Sequence, residues 1–245
     1  GASAALLVAW EASFREDAVE IDVWFDPDEF TGALAIDVRD HVAGDSQADH
    51  ARRESPPREH FRRQFVNQSN HAIGIILRAA AFAADKHSTQ RRKNVEASPY
   101  INHPISLASI LANEGGVTDC EVLCGALLHD TIEDTLTSAE ELKGIFGEEV
   151  TSIVQEVTDD KSLPKDVRKQ LQIEHAFHLH PKAKLVKLAD KISNLRDIAT
   201  SPPAGWPEKR KDEYYDWARQ VVDGLRGIHP RLEAVFDDVY RARKR

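Results

Sequence analysis

The sequence has 245 residues, of which 41% are hydrophobic and 30% charged, a composition typical of a soluble globular protein with one catalytic core. It contains no apolar run near the roughly 20 residues needed to cross a bilayer and no basic segment before its apolar N-terminal residues, so we expect a cytoplasmic protein with neither a membrane span nor a secretory signal. The formal net charge of -9 is concentrated in residues 1–50, which hold twelve acidic and two basic residues. Because the remainder is near neutral, we do not expect a strongly basic nucleic-acid surface.

The acidic N-terminal part predicts a β-hairpin. Apolar and polar residues alternate over residues 19–25 and again over residues 34–38, and a turn-forming stretch with proline and glycine separates the two runs. Residues 44–57 are polar and charged, as in a linker. We therefore predict an N-terminal segment over residues 1–65 and a catalytic domain over residues 66–245.

After residue 70 the pattern becomes helical, because apolar residues recur at spacings of three and four. The first two apolar stripes comprise Ile73, Ile76, Ala80 and Ala83, then Ile105, Leu107, Ile110 and Leu111. Later helices are predicted over 138–146 with Ser138 as the N-cap, 148–158, 165–177, 181–198, and 209–244 in one or two pieces. Cys120 and Cys124 lie one turn apart in such a pattern, which favours free thiols on one helix face over a disulfide. Without strand–helix alternation or a Gly-rich phosphate loop, we predict an all-α fold rather than a Rossmann or P-loop fold.

One stretch, residues 127–135, concentrates polar groups behind an apolar helix. If the stretch is helical, Glu133 lies one turn from both His129 and Asp130, and Asp134 lies one turn from Asp130. Unpaired buried carboxylates are costly, whereas a divalent cation would neutralise two of them and coordinate the imidazole. The cluster therefore indicates a metal site.

Two more stretches complete the pattern, which a His-Asp dipeptide alone would not make specific. Upstream, His103 immediately precedes a proline that can begin a helix. Downstream, Asp190 and Asn194 lie one turn apart in a helical run. The order of these groups along the chain is His, His-Asp, Asp.

With these motifs the sequence resembles the HD superfamily, and more narrowly the hydrolase domain of the RelA/SpoT family and its stand-alone small alarmone hydrolases, such as the metazoan SpoT homologues. The matching stretches are residues 91–93, 99–104, 128–135, 156–161 and 187–196. Their joint occurrence in this order makes the resemblance specific over about two thirds of the chain, and it leaves residues 1–65 unexplained. The resemblance implies an all-α HD-domain helical bundle that carries the hairpin as an appendage.

The resemblance also implies a ligand set for one divalent ion, usually Mn²⁺. The implied ligands are His103, His129, Asp130 and Asp190. Mixed imidazole and carboxylate ligands suit Mn²⁺, although affinity alone does not separate it from Fe²⁺, Co²⁺ or Zn²⁺. Glu133 and Asp134 match the acidic pair that orients and deprotonates the attacking water.

Four further residues are implied to contact the substrate. Arg92 and Lys93 match the pair at the guanine and phosphate site, with a guanidinium that can stack on a base and a point charge for phosphate. Asn194 is expected to contact the sugar or a phosphate, and Tyr214 to line the pocket. A second histidine group is expected at the surface, because it ends a polar helix: His175, His178 and His180.

The function that the resemblance implies is removal of the 3′-pyrophosphate of guanosine tetra- or pentaphosphate, which gives GDP or GTP and pyrophosphate. We expect a hydrolase without a synthetase region, whose partner is a small nucleotide and neither nucleic acid nor a membrane. One alternative is the same chemistry on NADPH or another nucleotide phosphate, because the core motif specifies the reaction centre more tightly than the base pocket. A second alternative is a catalytically silent HD module used for binding, against which the complete ligand set and acidic pair argue.

Overall fold

Helices make up most of the described part of the chain. The computed structural model describes residues 20–24, 35–39 and 58–243, and their side chains from residue 71 onward. Within these residues the helices are α1 (Arg58–Lys86), α2 (Asn102–Ser109), α3 (Cys120–Leu128), α4 (Thr131–Asp134), α5 (Ala139–Phe146), α6 (Glu148–Val157), α7 (Lys165–Ala176), α8 (Pro181–Thr200), α9 (Glu208–Asp223) and α10 (Pro230–Ala242). A π-helical turn, Ile110–Gly115, continues α2. The predicted all-α class is confirmed.

The N-terminal strands pair as the alternating pattern predicts. Strand β1 (Glu20–Trp24) runs antiparallel to β2 (Ala35–Arg39). The turn between them and the predicted linker lie outside the described residues. The chain divides into two compact units, Gly1–Ser55 and Pro56–Arg245, and the predicted domain boundary after residue 65 falls within α1.

Helix α3 lies at the centre of the helical unit, and it packs against α1, α2, α6 and α8. Its residues from Val122 to Leu128 are all buried, as expected of a helix that is apolar on every side. Asp119 caps its N-terminus by accepting from the backbone N–H groups of Glu121 at 2.9 Å and Val122 at 3.3 Å. This packing fixes the C-terminal end of α3, where His129 follows.

Most predicted helices are present, and one of them begins earlier than predicted. Ser138 caps α5 as predicted, because its Oγ accepts from the Glu141 N–H at 3.1 Å. The last predicted helix forms two pieces, α9 and α10, separated by a loop in which Gly227 has a φ of 89°. Helix α1 begins at Arg58, before the predicted start at residue 70.

Two apolar residues assigned to buried stripes lie at the surface. Ile73 is 56% exposed and Ile105 is 49% exposed, because the buried face of each helix is carried by neighbouring apolar positions such as Ala79 and Leu107. Both cysteines are free thiols, with Cys124 buried and Cys120 half-buried. Among the described residues, no helix is long and apolar enough to span a membrane.

Close packing of α3 on α6 gives a stability prediction. A Cβ atom on Gly125 would lie 2.6 Å from Cγ2 of Ile153, which is buried in α6. We expect Gly125→Ala to lower the free energy of unfolding by about 1–3 kcal/mol through overpacking. Gly144→Ala is the matched control, since nothing lies within 4 Å of its Cβ position in α5 and alanine should stabilise that helix by up to about 1 kcal/mol. Urea unfolding of both variants checks this, and a Gly125→Ala variant as stable as wild type would contradict the packing described.

Candidate metal and nucleotide site

The His-Asp pair lies at a break between two helices, α3 and α4, and not within one continuous helix. Helix α3 ends at Leu128, His129 is its C-cap, and Asp130 is the N-cap of α4 with φ -99° and ψ 0°. Thr131 stabilises the break, because its Oγ1 donates to the Leu128 carbonyl at 2.7 Å. The break leaves His129 Nε2 2.9 Å from Asp130 Oδ2.

The other two predicted ligands come from α2 and α8. His103 lies in the first turn of α2, is 4% exposed, and places its Nε2 3.2 Å from Oδ1 of Asp190 in the middle of α8. The rings of His103 and His129 have centroids 5.2 Å apart. Ligand atoms of His103, His129 and Asp130 all lie within 4.8 Å of one another. The structure therefore brings together four residues from three separate stretches of the sequence.

The outer nitrogens of the two imidazoles are already engaged by the protein. His129 Nδ1 lies 2.8 Å from the Ala126 carbonyl, which can only accept, so Nδ1 carries a proton and Nε2 is the nitrogen that faces the cluster. His103 Nδ1 lies 3.2 Å from the hydroxyl of Ser193, a buried residue of α8. Such contacts orient ligand histidines, and two imidazoles with two carboxylates form a donor set that fits a divalent cation.

Electrostatics at the cluster also favour a cation. Burial alone would raise the pKa of Asp130, but the neighbouring His129 outweighs it and holds that pKa below its usual range. Burial lowers the pKa of His103 and favours the neutral imidazole. The pKa of His129 is raised, because attraction by Asp130 outweighs burial. A divalent cation would compete with that proton for Nε2.

Asp190 is held by groups of its own helix. Burial would raise its pKa, but the Lys191 ammonium, 3.0 Å from Oδ2, holds that pKa well below its usual value. Lys191 is itself buried, donates to Gln172 Oε1 at 3.0 Å, and lies 4.3 Å from the centre of the Trp217 ring. Because Lys191 binds Oδ2, the other carboxylate oxygen of Asp190, Oδ1, faces His103.

The predicted acidic pair lies on α4, beside the ligand cluster. Glu133 Oε2 accepts from the backbone N–H of Asp159 at 3.0 Å, and burial raises the pKa of Glu133 above its usual value. Asp134 accepts from the Tyr100 hydroxyl at 3.2 Å through Oδ2, and its Oδ1 contacts the ammonium of Lys161. Both carboxylates line a small cavity of about 200 Å³ that also contains the ligands.

A cleft of about 690 Å³ opens over His103. Its walls carry all four residues predicted to contact the substrate, Arg92, Lys93, Asn194 and Tyr214. Arg92 donates to Asp197 Oδ2 at 2.5 Å and to Asn194 Oδ1 at 3.3 Å. Asn194 in turn donates to Oδ1 of Asp190 at 2.5 Å, so the cleft wall connects directly to the ligand cluster. Tyr214 packs between the rings of Trp206 and Trp217, with ring centroids 5.9 and 5.1 Å away.

An adjoining cavity of about 760 Å³ is lined by many basic side chains. The basic residues that line it are Lys93, Lys161, Lys165, Arg168, Lys169, Lys209 and Arg210. Sequence reasoning missed most of them, because the groups on α7, on α9 and in separate loops are far apart along the chain. By contrast, His175, His178 and His180 are exposed, as predicted.

Two other residues missed in the sequence had a detectable signal. Tyr100 lies in one of the stretches that carry the resemblance, and its hydroxyl donates to Asp130 Oδ2 at 2.5 Å. Burial, aided by Asp130, raises the pKa of Tyr100 above its usual value and keeps the phenol protonated. Asp197 follows Asn194 by one helical turn, so the helical spacing that pairs Asp190 with Asn194 could have found it.

Comparison with known proteins agrees with this fold. Residues 79–216 match the HD domain family, more than half of the chain, and the chain therefore belongs to that family. The predicted resemblance is confirmed. Among its relatives, guanosine-3′,5′-bis(diphosphate) 3′-pyrophosphohydrolase MESH1 of Xenopus tropicalis is 58% identical over 68% of this chain and 93% of its own length.

Two further similarities have the same extent. The human protein of that name is 55% identical over 69% of this chain and 94% of its own length. A solved structure described as a metazoan ortholog of SpoT that hydrolyses ppGpp and plays a role in starvation responses is 48% identical, with a TM-score of 0.67 over 69% of this chain and 95% of its own. In these relatives the matched part is nearly the whole protein.

Proposed function

We propose that the chain hydrolyses the 3′-pyrophosphate of guanosine tetra- or pentaphosphate to GDP or GTP and pyrophosphate, and so lowers alarmone levels. The observation that carries this proposal is the position of the His103, His129, Asp130 and Asp190 cluster beside a cleft with cationic walls. The names of relatives more than 50% identical over nearly their whole length support the choice of substrate.

The four clustered residues would hold one Mn²⁺ ion, which suits mixed imidazole and carboxylate donors. When bound, such an ion supplies Lewis acidity toward water and phosphate oxygens. Its two carboxylate ligands would offset the ion's charge, and the buried contacts of both Nδ1 atoms would keep the imidazoles in place.

Glu133 and Asp134 are proposed to serve the attacking water. The water oxygen forms a bond to the phosphorus next to the ribose, the bond from that phosphorus to the 3′-oxygen breaks, and the 3′-oxygen takes up a proton. Glu133 and Asp134 orient the water and accept the proton that it loses. The raised pKa of Glu133, caused mainly by burial, makes it a better proton acceptor than an exposed carboxylate.

The nucleotide is proposed to bind in the cleft of about 690 Å³ and the adjoining cavity of about 760 Å³ together. They share Lys93, Lys165 and Tyr214, so one ligand can extend across both. The ammonium groups complement the phosphates of the substrate. The Arg92 guanidinium, held between Asn194 and Asp197, is proposed to stack on the base.

A substrate panel tests the proposal. Metal-stripped protein is supplied with Mn²⁺ and given guanosine tetraphosphate, NADPH and ordinary nucleotides, and the products are resolved by chromatography. We expect GDP and pyrophosphate from guanosine tetraphosphate only when Mn²⁺ is added. Preferential release of phosphate from NADPH would assign the same chemistry to the alternative substrate, and turnover of nothing in the panel would leave a silent HD module.

The cationic wall gives a kinetic prediction. Lys93→Ala and Arg92→Ala should mainly raise KM for guanosine tetraphosphate and leave metal binding intact, because both charges meet phosphate or base in the ground state as well as in the transition state. Within the described residues, the side-chain hydrogen bonds of Arg92 go to Asn194 and Asp197, and Asn194 in turn donates to Asp190.

Steady-state kinetics at low salt, where surface electrostatics are strongest, measure the effect. Lys143→Ala is the matched control, since its side chain is 61% exposed on α5 and pairs with Glu148 outside the cleft. Kinetic constants equal to wild type for both cleft variants would make Arg92 and Lys93 solvated surface residues. A fall in kcat with unchanged KM would also contradict the prediction, because the two residues would then act only in the transition state.

A further inference from the structure

Tyr100 lies between a ligand of the metal cluster and the acidic pair. Its hydroxyl oxygen is 2.5 Å from Asp130 Oδ2 and 3.2 Å from Asp134 Oδ2. Asp130 belongs to the ligand set, and Asp134 is proposed to serve the water. Among the described residues, this hydroxyl is the group that hydrogen-bonds to both carboxylates.

The backbone and ring of Tyr100 are held firmly. Its N–H donates to the Gln90 carbonyl at 3.2 Å, and its own carbonyl accepts from the His103 N–H at 3.0 Å in the first turn of α2. Its ring lies 4.8 Å from that of His87, which is 2% exposed, and the Arg92 guanidinium lies 5.7 Å from the ring centre. These contacts fix the position of the hydroxyl, which can therefore orient the two carboxylates that it contacts.

Gln90 strengthens the same connection through the backbone. Its Nε2 donates to the Asp134 carbonyl at 2.6 Å, and its Oε1 accepts from His87 Nδ1 at 2.7 Å. Asp134 is thus held at its main chain by Gln90 and at its side chain by Tyr100. The other contact of its carboxylate is with Lys161, whose side chain is 47% exposed and therefore a weaker restraint.

Asp130 depends on Tyr100 for a different reason. The donors that reach its Oδ2 within the described residues are Tyr100 and His129 Nε2. His129 Nε2 is the atom that would turn to a bound cation. The tyrosine hydroxyl is then the side-chain donor that continues to orient the Asp130 carboxylate.

We propose that Tyr100 is a positioning residue whose hydroxyl bridges Asp130 and Asp134 and so fixes the water-activating carboxylate relative to the metal ligands. The catalytic half of this inference rests on the proposed function, whereas the half that concerns Asp130 does not. The one phenol proton serves both carboxylates as a three-centre hydrogen bond, with the shorter contact to Asp130 and the longer contact to Asp134.

The test is Tyr100→Phe, which removes one oxygen atom and keeps the ring between His87 and Arg92. We expect the Kd for Mn²⁺, measured by calorimetry on metal-stripped protein, to rise at least about tenfold. At saturating Mn²⁺ we expect kcat for guanosine tetraphosphate to fall at least about tenfold with little change in KM, because the misplaced carboxylate affects the chemical step.

Tyr215→Phe is the matched control. Tyr215 is buried, its hydroxyl donates to the Leu195 carbonyl at 3.0 Å, and it lines neither cavity, so the variant loses a comparable hydrogen bond outside the site. We expect both variants to lose similar thermal stability, and only Tyr100→Phe to change the Mn²⁺ Kd and kcat. Equal effects of the two variants on Kd and kcat would overturn the inference, as would a change in KM alone.

The two arms separate this inference from the proposed function. A change in kcat or in the Mn²⁺ Kd alone would overturn the bridge, since the hydroxyl would then serve one carboxylate. If wild-type protein releases no pyrophosphate from guanosine tetraphosphate, the proposed function fails. The Mn²⁺ titration then decides by itself, and a Kd within twofold of wild type overturns the role of Tyr100.

Discussion

Replacing His129 or Asp190 with alanine should abolish metal retention and turnover together. Each residue supplies one of four proposed donors, and each faces another member of the cluster: His129 Nε2 lies 2.9 Å from Asp130, and Asp190 Oδ1 lies 3.2 Å from His103. Loss of one donor leaves the others without a complete coordination set, and a metal ion bound by three residues dissociates more readily. We expect no measurable Mn²⁺ after gel filtration and no release of pyrophosphate from guanosine tetraphosphate.

The two variants differ in what they do to the fold. Asp190→Ala leaves the buried Lys191 ammonium without its carboxylate partner, so we expect lower stability as well as metal loss. Asp190→Asn keeps the shape of the side chain and separates loss of a ligand charge from loss of packing. His178→Ala is the control, because this histidine is exposed on the surface. Normal metal content and full activity in His129→Ala or Asp190→Ala would remove the proposed metal site.

The four proposed ligands could be picked out from the sequence because they occur within motifs of fixed order. His103 precedes a proline at a helix start, and Asp190 shares a helical turn with Asn194. The helices that carry them were predictable too, since their apolar spacing is strong. The tertiary packing then brings the proposed ligands together, because α3 is buried on every side and its end lies against α2 and α8.

The break between α3 and α4 was not predictable by the same means. No glycine or proline marks it, so the sequence contains neither of the usual signals for a helix end. The structure shows that the Thr131 side chain accompanies the break by donating to the Leu128 carbonyl. Buried geometry of this kind depends on the surrounding helices, which override local propensity.

The cleft walls show the limit of one-dimensional patterns most clearly. Lys165 begins α7 and Arg210 lies in the first turn of α9, and both line the same cavity. Nothing in their spacing along the chain relates them, because their proximity arises from the packing of α7 against α9. Cavity-lining residues that come from separate helices can therefore be found only in the folded structure, whereas the proposed metal ligands, which lie within motifs, can be found in the sequence.

Glu133→Gln and Asp134→Asn should keep the metal ion and lose most of the rate. Both carboxylates have hydrogen-bond partners other than the four proposed ligands, because Glu133 accepts from the Asp159 N–H and Asp134 from Tyr100 and Lys161. If each carboxylate serves the water, the amide side chain that replaces it cannot accept the proton of that water. The loss of kcat should then fall in the range typical of a general base, about 10² to 10⁴-fold.

The surroundings of the pair should survive both substitutions, which makes the rate the informative quantity. A glutamine at residue 133 still offers an oxygen to the Asp159 N–H, and an asparagine at residue 134 still offers one to Tyr100. Glu148→Gln is the matched control, since its carboxylate is 65% exposed and pairs with Lys143. Metal content, Mn²⁺ affinity and kcat are measured on the same preparations. If metal is lost in proportion to rate, Glu133 or Asp134 coordinates the ion itself, and the division of the site into four ligands and a water-serving pair is wrong.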